Sequence, residues 1–257
     1  MTFERIHGHG LSILLALLLT ACGSGQSSRD PGITVDFNLE IPAGGAPAGS
    51  KPLAFRNTEG VDIVLEQAWV VLWSQTLTAD CGGPEFVRLP GRWLDWWISS
   101  AQAHAGSDPR VQPVPHAIEL VAESGTRRAL GAIHPPPGIY CGVRVDLRRA
   151  DSDTVGLPEN PPLLERSVFL QGRYRTNAMQ APAPFVFETG RTLIPAQRLF
   201  PTPLTLSADQ PHARVTLRIR YDRWFDGVEL SRLDDPTQQD LLLYNISASV
   251  ELAGVAR

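Results

Sequence analysis

The sequence predicts an all-β protein, an antiparallel β-sandwich of about nine or ten short strands. Stretches with apolar residues at every second position recur along the chain, a period typical of strands that bury one face. The 22 prolines and 22 glycines are spread through the 257 residues and predict many turns. Helical patterns are few, so packed sheets are the economical architecture.

The amino-terminal part of the chain has the features of an export signal. An apolar run at residues 11–19 precedes Cys22. The run is too short to span a bilayer as a helix, but it suits the core of a signal peptide. We therefore expect residues 1–21 to be a signal peptide and residues 22–32, rich in Gly and Ser, to be a flexible tether. Residues 33–257 are then expected to form a single β-sandwich domain.

The first predicted strand covers residues 33–41, where apolar and polar side chains alternate. A loop with Gly44-Gly45 follows, and the alternation resumes at Val61. It then passes into residues 68–73, which are apolar on both faces. We expect this second strand to lie in the centre of a sheet and to be covered on both sides.

Residues 82–115 interrupt the strand pattern. Trp93, Trp96 and Trp97 are spaced at i, i+3 and i+4, so a short helix would place them on one aromatic face. Two roles are open for this short Trp-rich helical excursion. It is a lid over the open end of the sandwich, or a platform that stacks on a sugar, a partner or the membrane interface.

The remaining strands are predicted after residue 115. They cover residues 116–121, 127–133, 141–147, 167–174, 184–189, 204–206, 215–221 and 244–252. Ser124-Gly125 indicates a hairpin turn between the first two. Residues 150–163 are expected to form a long loop, and residues 224–242 have room for a helix. The complete pattern predicts an immunoglobulin/transthyretin-like sandwich.

Cys81 and Cys141 are the two cysteines that follow Cys22. An export signal implies an oxidising compartment and C-x-x-C spacing is absent, so this pair predicts one structural disulfide. In the chain-entropy model, closing a loop of this length stabilises the fold by roughly 4 kcal/mol. The alternative is that both thiols are metal ligands, for which no further ligands stand at suitable spacing.

Four histidines follow the predicted signal peptide: His104, His116, His134 and His212. None of them forms an H-x-H or H-x-x-x-H pair, so the fold would have to assemble any metal site. His134 and His212 stand beside prolines and are expected to be exposed turn residues. His104 follows the tryptophan segment and is the candidate metal ligand.

Neither charge nor motifs indicate nucleic-acid binding or catalysis. The formal net charge is −4, which provides no electrostatic footprint for nucleic acid. The G-x-S-x-G, H-E-x-x-H and P-loop patterns are absent, and no enzyme is expected. Carboxylates near strand ends could pair for glycoside hydrolysis or Ca²⁺ binding, but we expect them to be solvated. They are Asp146, Asp151, Asp153, Asp222 and Asp226.

The stretch Leu18–Cys22, Leu-Leu-Thr-Ala-Cys, resembles the lipobox of bacterial lipoproteins. The resemblance implies cleavage before Cys22 and attachment of acyl chains such as palmitate to this residue. Several acyl chains exceed the two signals that stable anchoring requires. Gly23 after the cysteine resembles the version exported to the outer membrane, which implies an anchored protein facing the periplasm. The alternative for Cys22 is an ordinary thiol in a signal peptide that is cleaved elsewhere.

Residues 33–230 resemble periplasmic β-sandwich lipoproteins, through the order of predicted strands and two turn-like motifs. These motifs are Pro137-Gly138-Ile139-Tyr140 and Trp224-Phe225-Asp226-Gly227-Val228. The similar families are relatives of the copper-binding partner protein encoded in methanobactin operons and uncharacterised carbohydrate-binding-like lipoproteins. The first resemblance implies copper as a ligand. The several extra cysteines of that family are missing here, so His104 or another histidine would bind the metal.

The lipobox, the strand pattern and the missing catalytic motifs together predict a non-catalytic binding or accessory protein. It would assist an outer-membrane transporter or bind a small ligand or metal, and the copper resemblance favours copper handling. The alternative is a glycan-binding module that stacks sugars on Trp93, Trp96 and Trp97.

Overall fold

The structure is a computed structural model that describes residues 32–43, 52–79, 81 and 108–257. Two sheets and one α-helix, α1 (Pro236–Ala248), organise these residues. The strands are β1 (Thr34–Glu40), β2 (Leu53–Arg56), β3 (Asp62–Thr78), β4 (Val111–Gln112), β5 (His116–Glu119), β6 (Arg127–Ile133), β7 (Gly138–Leu147), β8 (Val168–Arg175), β9 (Ala183–Thr189), β10 (Ala196–Leu206), β11 (His212–Ile219) and β12 (Val250–Ala256). Two short 3-10 turns, Tyr221–Arg223 and Leu230–Arg232, precede the helix.

The smaller sheet has the strand order β12-β11-β1-β6. β1 runs parallel to β11, whereas the β1–β6 and β11–β12 pairs are antiparallel. The alternation predicted for the first strand is confirmed. Val35, Phe37 and Leu39 are fully buried, and the side chains between them are partly exposed.

The larger sheet is organised around β3, as the apolar pattern of this strand predicted. Its order is β10-β7-β3-β8-β9, with β2, β4 and β5 also paired to β3. β8 pairs with residues 62–70 of β3 and β7 with residues 72–78, both antiparallel. Because β2, β5 and β4 pair with overlapping parts of β3, they lie along its other edge. The long strand β3 thus pairs with β7 and β8 along one edge and with β2, β4 and β5 along the other.

The two sheets enclose one apolar core. Among its largest fully buried side chains are Tyr221, Trp224 and Phe225. The Trp224 indole donates a hydrogen bond to Ser249 Oγ (2.7 Å), and the Tyr221 hydroxyl donates to the Pro42 carbonyl (3.0 Å). Both polar tips are therefore satisfied in an apolar surrounding. The predicted all-β sandwich is confirmed, with twelve strands among the described residues instead of nine or ten.

A second apolar cluster covers the outer face of the larger sheet. Trp69 and Phe169, which are paired across β3 and β8, pack there with Ala117. Leu163 and Leu157, from the long loop that follows β7, complete the cluster. The central strand is therefore covered on both faces, as its uninterrupted apolar run predicted.

The strand predicted at residues 244–252 is wrong for most of its length. α1 continues to Ala248, and β12 begins only at Val250. Tyr244, the first residue of the apparent alternation, is 59% exposed. The side chains that α1 buries are spaced as on a helix: Leu242, Leu243, Ile246 and Ser247.

Local signals start this helix. The Asp235 carboxylate accepts a hydrogen bond from the Thr237 backbone N–H (2.8 Å), and Pro236 occupies the first helical turn. An Asp cap followed by Pro is a strong start signal, and here it outweighs a short run of alternating residues. Within the described part of the chain, no helix has the length and apolarity needed to cross a bilayer.

The hairpin turn predicted at Ser124-Gly125 is also wrong. β5 pairs with β3 in the larger sheet, whereas β6 pairs with β1 in the smaller one. The turn therefore carries the chain from one sheet to the other. It is held by hydrogen bonds from Gly125 N–H to the Ile41 carbonyl (2.8 Å) and from Ser124 Oγ to the Pro42 carbonyl (3.3 Å).

Candidate functional site

Five residues singled out by the sequence lie outside the described residues. They are Cys22, Trp93, Trp96, Trp97 and His104. The lipid anchor, the aromatic platform and the histidine metal site therefore stay predictions. Other parts of the chain form the candidate site.

The predicted disulfide between Cys81 and Cys141 is confirmed. The two residues are bonded, with their Cα atoms 4.9 Å apart. The bond ties the chain just after β3 to β7, its neighbour in the larger sheet. Because both sulfur atoms are used in this bond, neither is a metal ligand.

The described histidines are dispersed. His134 and His212 are exposed, as predicted for turn residues. His134 Nδ1 lies 3.1 Å from the Ile33 carbonyl oxygen, whereas His116 is only 8% exposed and points into the sandwich. Among residues 32–43, 52–79, 81 and 108–257, no three His, Cys, Asp or Glu side chains form a group suited to a metal ion.

Three polar side chains form an interior polar group between the sheets: Gln75, Gln112 and His116. The Nε2 atoms of Gln112 and His116 lie 2.6 and 2.9 Å from the carbonyl oxygen of Leu130 in β6. A carbonyl only accepts, so both nitrogens donate, and neutral His116 carries its proton on Nε2. These bonds connect strands of the larger sheet to the smaller sheet.

The interior polar group is incompletely satisfied. Gln75 is fully buried, and neither its Oε1 nor its Nε2 has a hydrogen-bond partner among the described residues. His116 Nδ1 is likewise unpaired there. Burial lowers the pKa of His116, more than its hydrogen bond to Leu130 raises it, and the positive charge of Arg128 lowers it further. His116 is therefore held in its neutral form, which suits a structural role better than proton transfer near neutral pH.

The carboxylates near strand ends are bound locally. Asp146 was expected to face water but is 6% exposed, since it accepts hydrogen bonds from Ser74 Oγ (3.1 Å) and Arg144 Nη2 (2.9 Å). Asp222 forms a two-point ion pair with Arg220. Of these two carboxylates only Asp146 is buried, because its partners lie on the neighbouring strand and two residues away, which alternation alone does not reveal. Asp222 stays partly exposed, and Asp153 is exposed as expected.

A pocket of about 260 Å³ lies at one end of the sandwich and is here called the Tyr174 pocket. It is bounded by the β2–β3 turn, the end of β8 and the segment before the second 3-10 turn. Its lining residues are Glu59, Val61, Tyr174, Thr176, Gly227, Val228, Glu229, Leu230 and Ser231. Apolar walls with a few polar groups are typical of small-molecule sites.

Glu59 is held at this pocket by two neighbouring turns. A hydrogen bond from the backbone N–H of Gly227 is the largest influence on its carboxylate and lowers the pKa of Glu59, and the Thr58 hydroxyl donates to Oε1 at 2.8 Å. Thr58 N–H in turn donates to Asp226 (3.1 Å). Gly227 has φ of +71°, a conformation that glycine adopts without strain.

Aromatic side chains support the Tyr174 pocket from the core side. The rings of Tyr174 and Phe185 are 6.4 Å apart, and Phe185 meets Phe225 edge-to-face at 5.5 Å. Phe55 stacks on Phe225 at 6.2 Å and contacts Tyr221 at 5.7 Å. These distances are typical of favourable ring pairs, so the pocket rests on a rigid aromatic floor.

A second hollow, of about 420 Å³, lies on the solvent face of the smaller sheet. It exists because Ala129, Gly131 and Ala132 expose little side-chain volume between longer neighbours. Its charged neighbours have both signs, Asp36 against Arg127 and Arg214. The hollow is therefore more polar than the Tyr174 pocket and does not share its single charge sign.

No family model, curated protein or solved structure matches this chain. The Tyr174 pocket is accordingly characterised by its own geometry. Sequence reasoning did not identify it, because Glu59, Tyr174 and Leu230 come from three distant segments. The available signal was the pair of turn glycines, Gly60 and Gly227, both with positive φ. Such glycines mark turns, but they do not show which turns meet.

Proposed function

We propose that the protein is a lipid-anchored, periplasm-facing lipoprotein of the outer membrane that acts as a non-catalytic binding or accessory protein. The lipobox-like stretch Leu18–Cys22, after the apolar run at residues 11–19, supports the anchor. The binding role depends on one observation of the fold, the Tyr174 pocket. Its apolar walls can bury a small ligand, and the Glu59 carboxylate can bind a polar group of that ligand.

Acylation of Cys22 tests the anchor. In bacteria grown with labelled palmitate, we expect label on the full chain, recovery with outer-membrane fractions, and loss of both in Cys22→Ala. Ser27→Ala, in the predicted tether, is the control, since it leaves both Cys22 and the disulfide in place. A mature amino terminus without acyl groups would refute the anchor, and turnover of a hydrolytic or redox substrate would refute the non-catalytic role.

Copper handling with an outer-membrane transporter is the more specific form of this proposal. It rests on the family resemblance and on His104. We expect equilibrium dialysis to find one Cu(I) or Cu(II) per chain. His104→Ala should lose this binding, whereas His134→Ala should bind copper like the parent. Copper binding unchanged by removal of all four mature-chain histidines would contradict it.

Glycan binding by Trp93, Trp96 and Trp97 is the alternative proposal, favoured by the spacing of these residues. Titration with soluble oligosaccharides should then change tryptophan fluorescence, and Trp96→Ala should abolish the change. Trp69 is buried under the long loop, so Trp69→Phe is the control and should keep the ligand-induced change. An unchanged spectrum across a panel of glycans would exclude this role.

A further inference from the structure

The charge at the Tyr174 pocket has one sign. Glu59 and Glu229 contribute to its lining, and no Lys, Arg or His among the described residues does. Arg232 lies 3.3 Å from the Glu229 carboxylate and offsets that charge. Glu59 has no cationic partner among the described residues. The pocket therefore presents an uncompensated negative charge at Glu59.

Hydrogen bonds favour the ionised form of this carboxylate, which is exposed to solvent. The Gly227 N–H and the Thr58 hydroxyl both donate to the Glu59 carboxylate, and together they keep its pKa below the ordinary 4.5. A carboxylate can accept about four hydrogen bonds, so two donors leave acceptor capacity for a ligand. The arrangement suits a positively charged ligand group better than a neutral or negative one.

The remaining walls suit an apolar ligand body. Val61, Val228 and Leu230 supply aliphatic surface, and the half-buried Tyr174 adds an aromatic ring. A cation within about 6 Å of such a ring is attracted by its electron-rich face. The volume of about 260 Å³ lies just below the range of roughly 300–1,000 Å³ common for ligand pockets, which limits the ligand to a small molecule.

We propose that the Tyr174 pocket binds a small organic cation, an ammonium group attached to an apolar or aromatic body. The ammonium group contacts the Glu59 carboxylate, and the body packs on Tyr174 and Leu230. This inference rests on the proposed binding function and specifies its ligand class.

Calorimetric titration of the full chain with three probes of similar shape tests the proposal. The probes are phenethylammonium, neutral 2-phenylethanol and anionic phenylacetate, with the protein in an uncharged maltoside detergent. We expect one phenethylammonium per chain and affinities about tenfold weaker for the other two. Glu59→Gln should lower phenethylammonium affinity by about the same factor, and Tyr174→Leu should lower it several-fold. Glu159→Gln, at an exposed loop position, should have no effect.

Equal affinity for the three probes, no binding of phenethylammonium, or full affinity in Glu59→Gln would overturn the inference. Circular dichroism of Glu59→Gln shows whether the variant is folded, and Tyr174→Leu tests the aromatic wall independently of the carboxylate. The proposed function is judged separately, by Cys22 acylation. An acylated, membrane-bound chain that prefers the neutral probe refutes the cation but not the binding role.

Discussion

The Leu130 carbonyl oxygen is one of the atoms through which the two sheets make polar contacts. It accepts hydrogen bonds from Gln112 and His116 at a bulge of β6. The next residue, Gly131, has φ of +118°, and a Cβ there would lie 2.5 Å from Gln112 Nε2. A glycine is therefore needed at position 131 for the Gln112 side chain to reach the Leu130 carbonyl oxygen of the other sheet.

His116 should make folding sensitive to mild acid. Its folded-state pKa lies below the ordinary 6.5, so the unfolded chain binds the proton more readily. The free energy of unfolding is then highest above pH 6.5 and falls as the pH drops toward the folded-state pKa. Chemical denaturation between neutral and mildly acidic pH should show this fall, and His116→Gln should flatten it while keeping a donor for Leu130. His134→Gln, at an exposed site, should retain the full pH dependence, and a His116→Gln profile superimposed on the parent would contradict the expectation.

Gln75 and Gln112 are paired across β3 and β4, yet replacing each by Leu should have opposite effects. Gln75→Leu removes an amide that is buried without partners among the described residues, and should raise the free energy of unfolding by about 1 kcal/mol. Gln112→Leu removes bonds to Leu130 and Val114, and should lower it by about 2 kcal/mol. Urea denaturation of both variants measures the contrast. A loss in Gln75→Leu as large as that in Gln112→Leu would show that Gln75 has a partner in the folded chain.

At the level of elements, α1 is joined to the larger sheet by an arginine of β10. The Arg198 guanidinium donates to the carbonyl oxygens of Ala248 (2.8 Å), Ser247 (3.4 Å) and Val250. The last carbonyls of a helix lack partners within it and carry partial negative charge. Arg198 supplies hydrogen-bond donors and a positive charge to these carbonyls, at the point where α1 ends and β12 begins.

Replacing Arg198 should therefore loosen the carboxyl end of α1. We expect Arg198→Met to lower the free energy of unfolding by about 1–2 kcal/mol, and Arg198→Lys to lose less because it keeps the charge without the planar fork. Thermal denaturation followed by circular dichroism gives the comparison. Arg214→Met, on an exposed position of β11, should change stability little. Equal stability of Arg198→Met and the parent would refute the cap.

At the scale of the whole molecule, the disulfide closes a long loop of chain between two neighbouring strands, β3 and β7. Cys81 and Cys141 are separated by 60 residues in sequence, a stretch that includes β4, β5 and β6. The chain-entropy model predicts that Cys81→Ala/Cys141→Ala lowers the free energy of unfolding by about 4 kcal/mol. Guanidinium denaturation of the double variant and of the reduced parent should agree. A loss below about 1 kcal/mol would mean that the reduced, unfolded chain is already restrained.

Local signals in the sequence predicted most strands and the disulfide, because each depends on a short pattern or on chemistry. The alternation in β1, the apolar run in β3 and the exposure of His134 follow from neighbours close in sequence. Two local predictions were wrong where signals competed. At residues 244–248 a capped helix prevailed over alternation, and at Ser124-Gly125 a tight turn joined two sheets instead of two paired strands.

The sequence by itself determined the strand-rich class, the cysteine pairing and the buried face of most strands. Only the tertiary structure decided which distant segments meet: Glu59 with Tyr174 and Leu230 in the pocket, and Gln112 with Leu130 between the sheets. The physical reason is the distance along the sequence over which each effect acts. Periodicity and turn chemistry act over a few residues, whereas a pocket depends on how two twisted sheets and their end turns pack, which many sequence-distant contacts decide together.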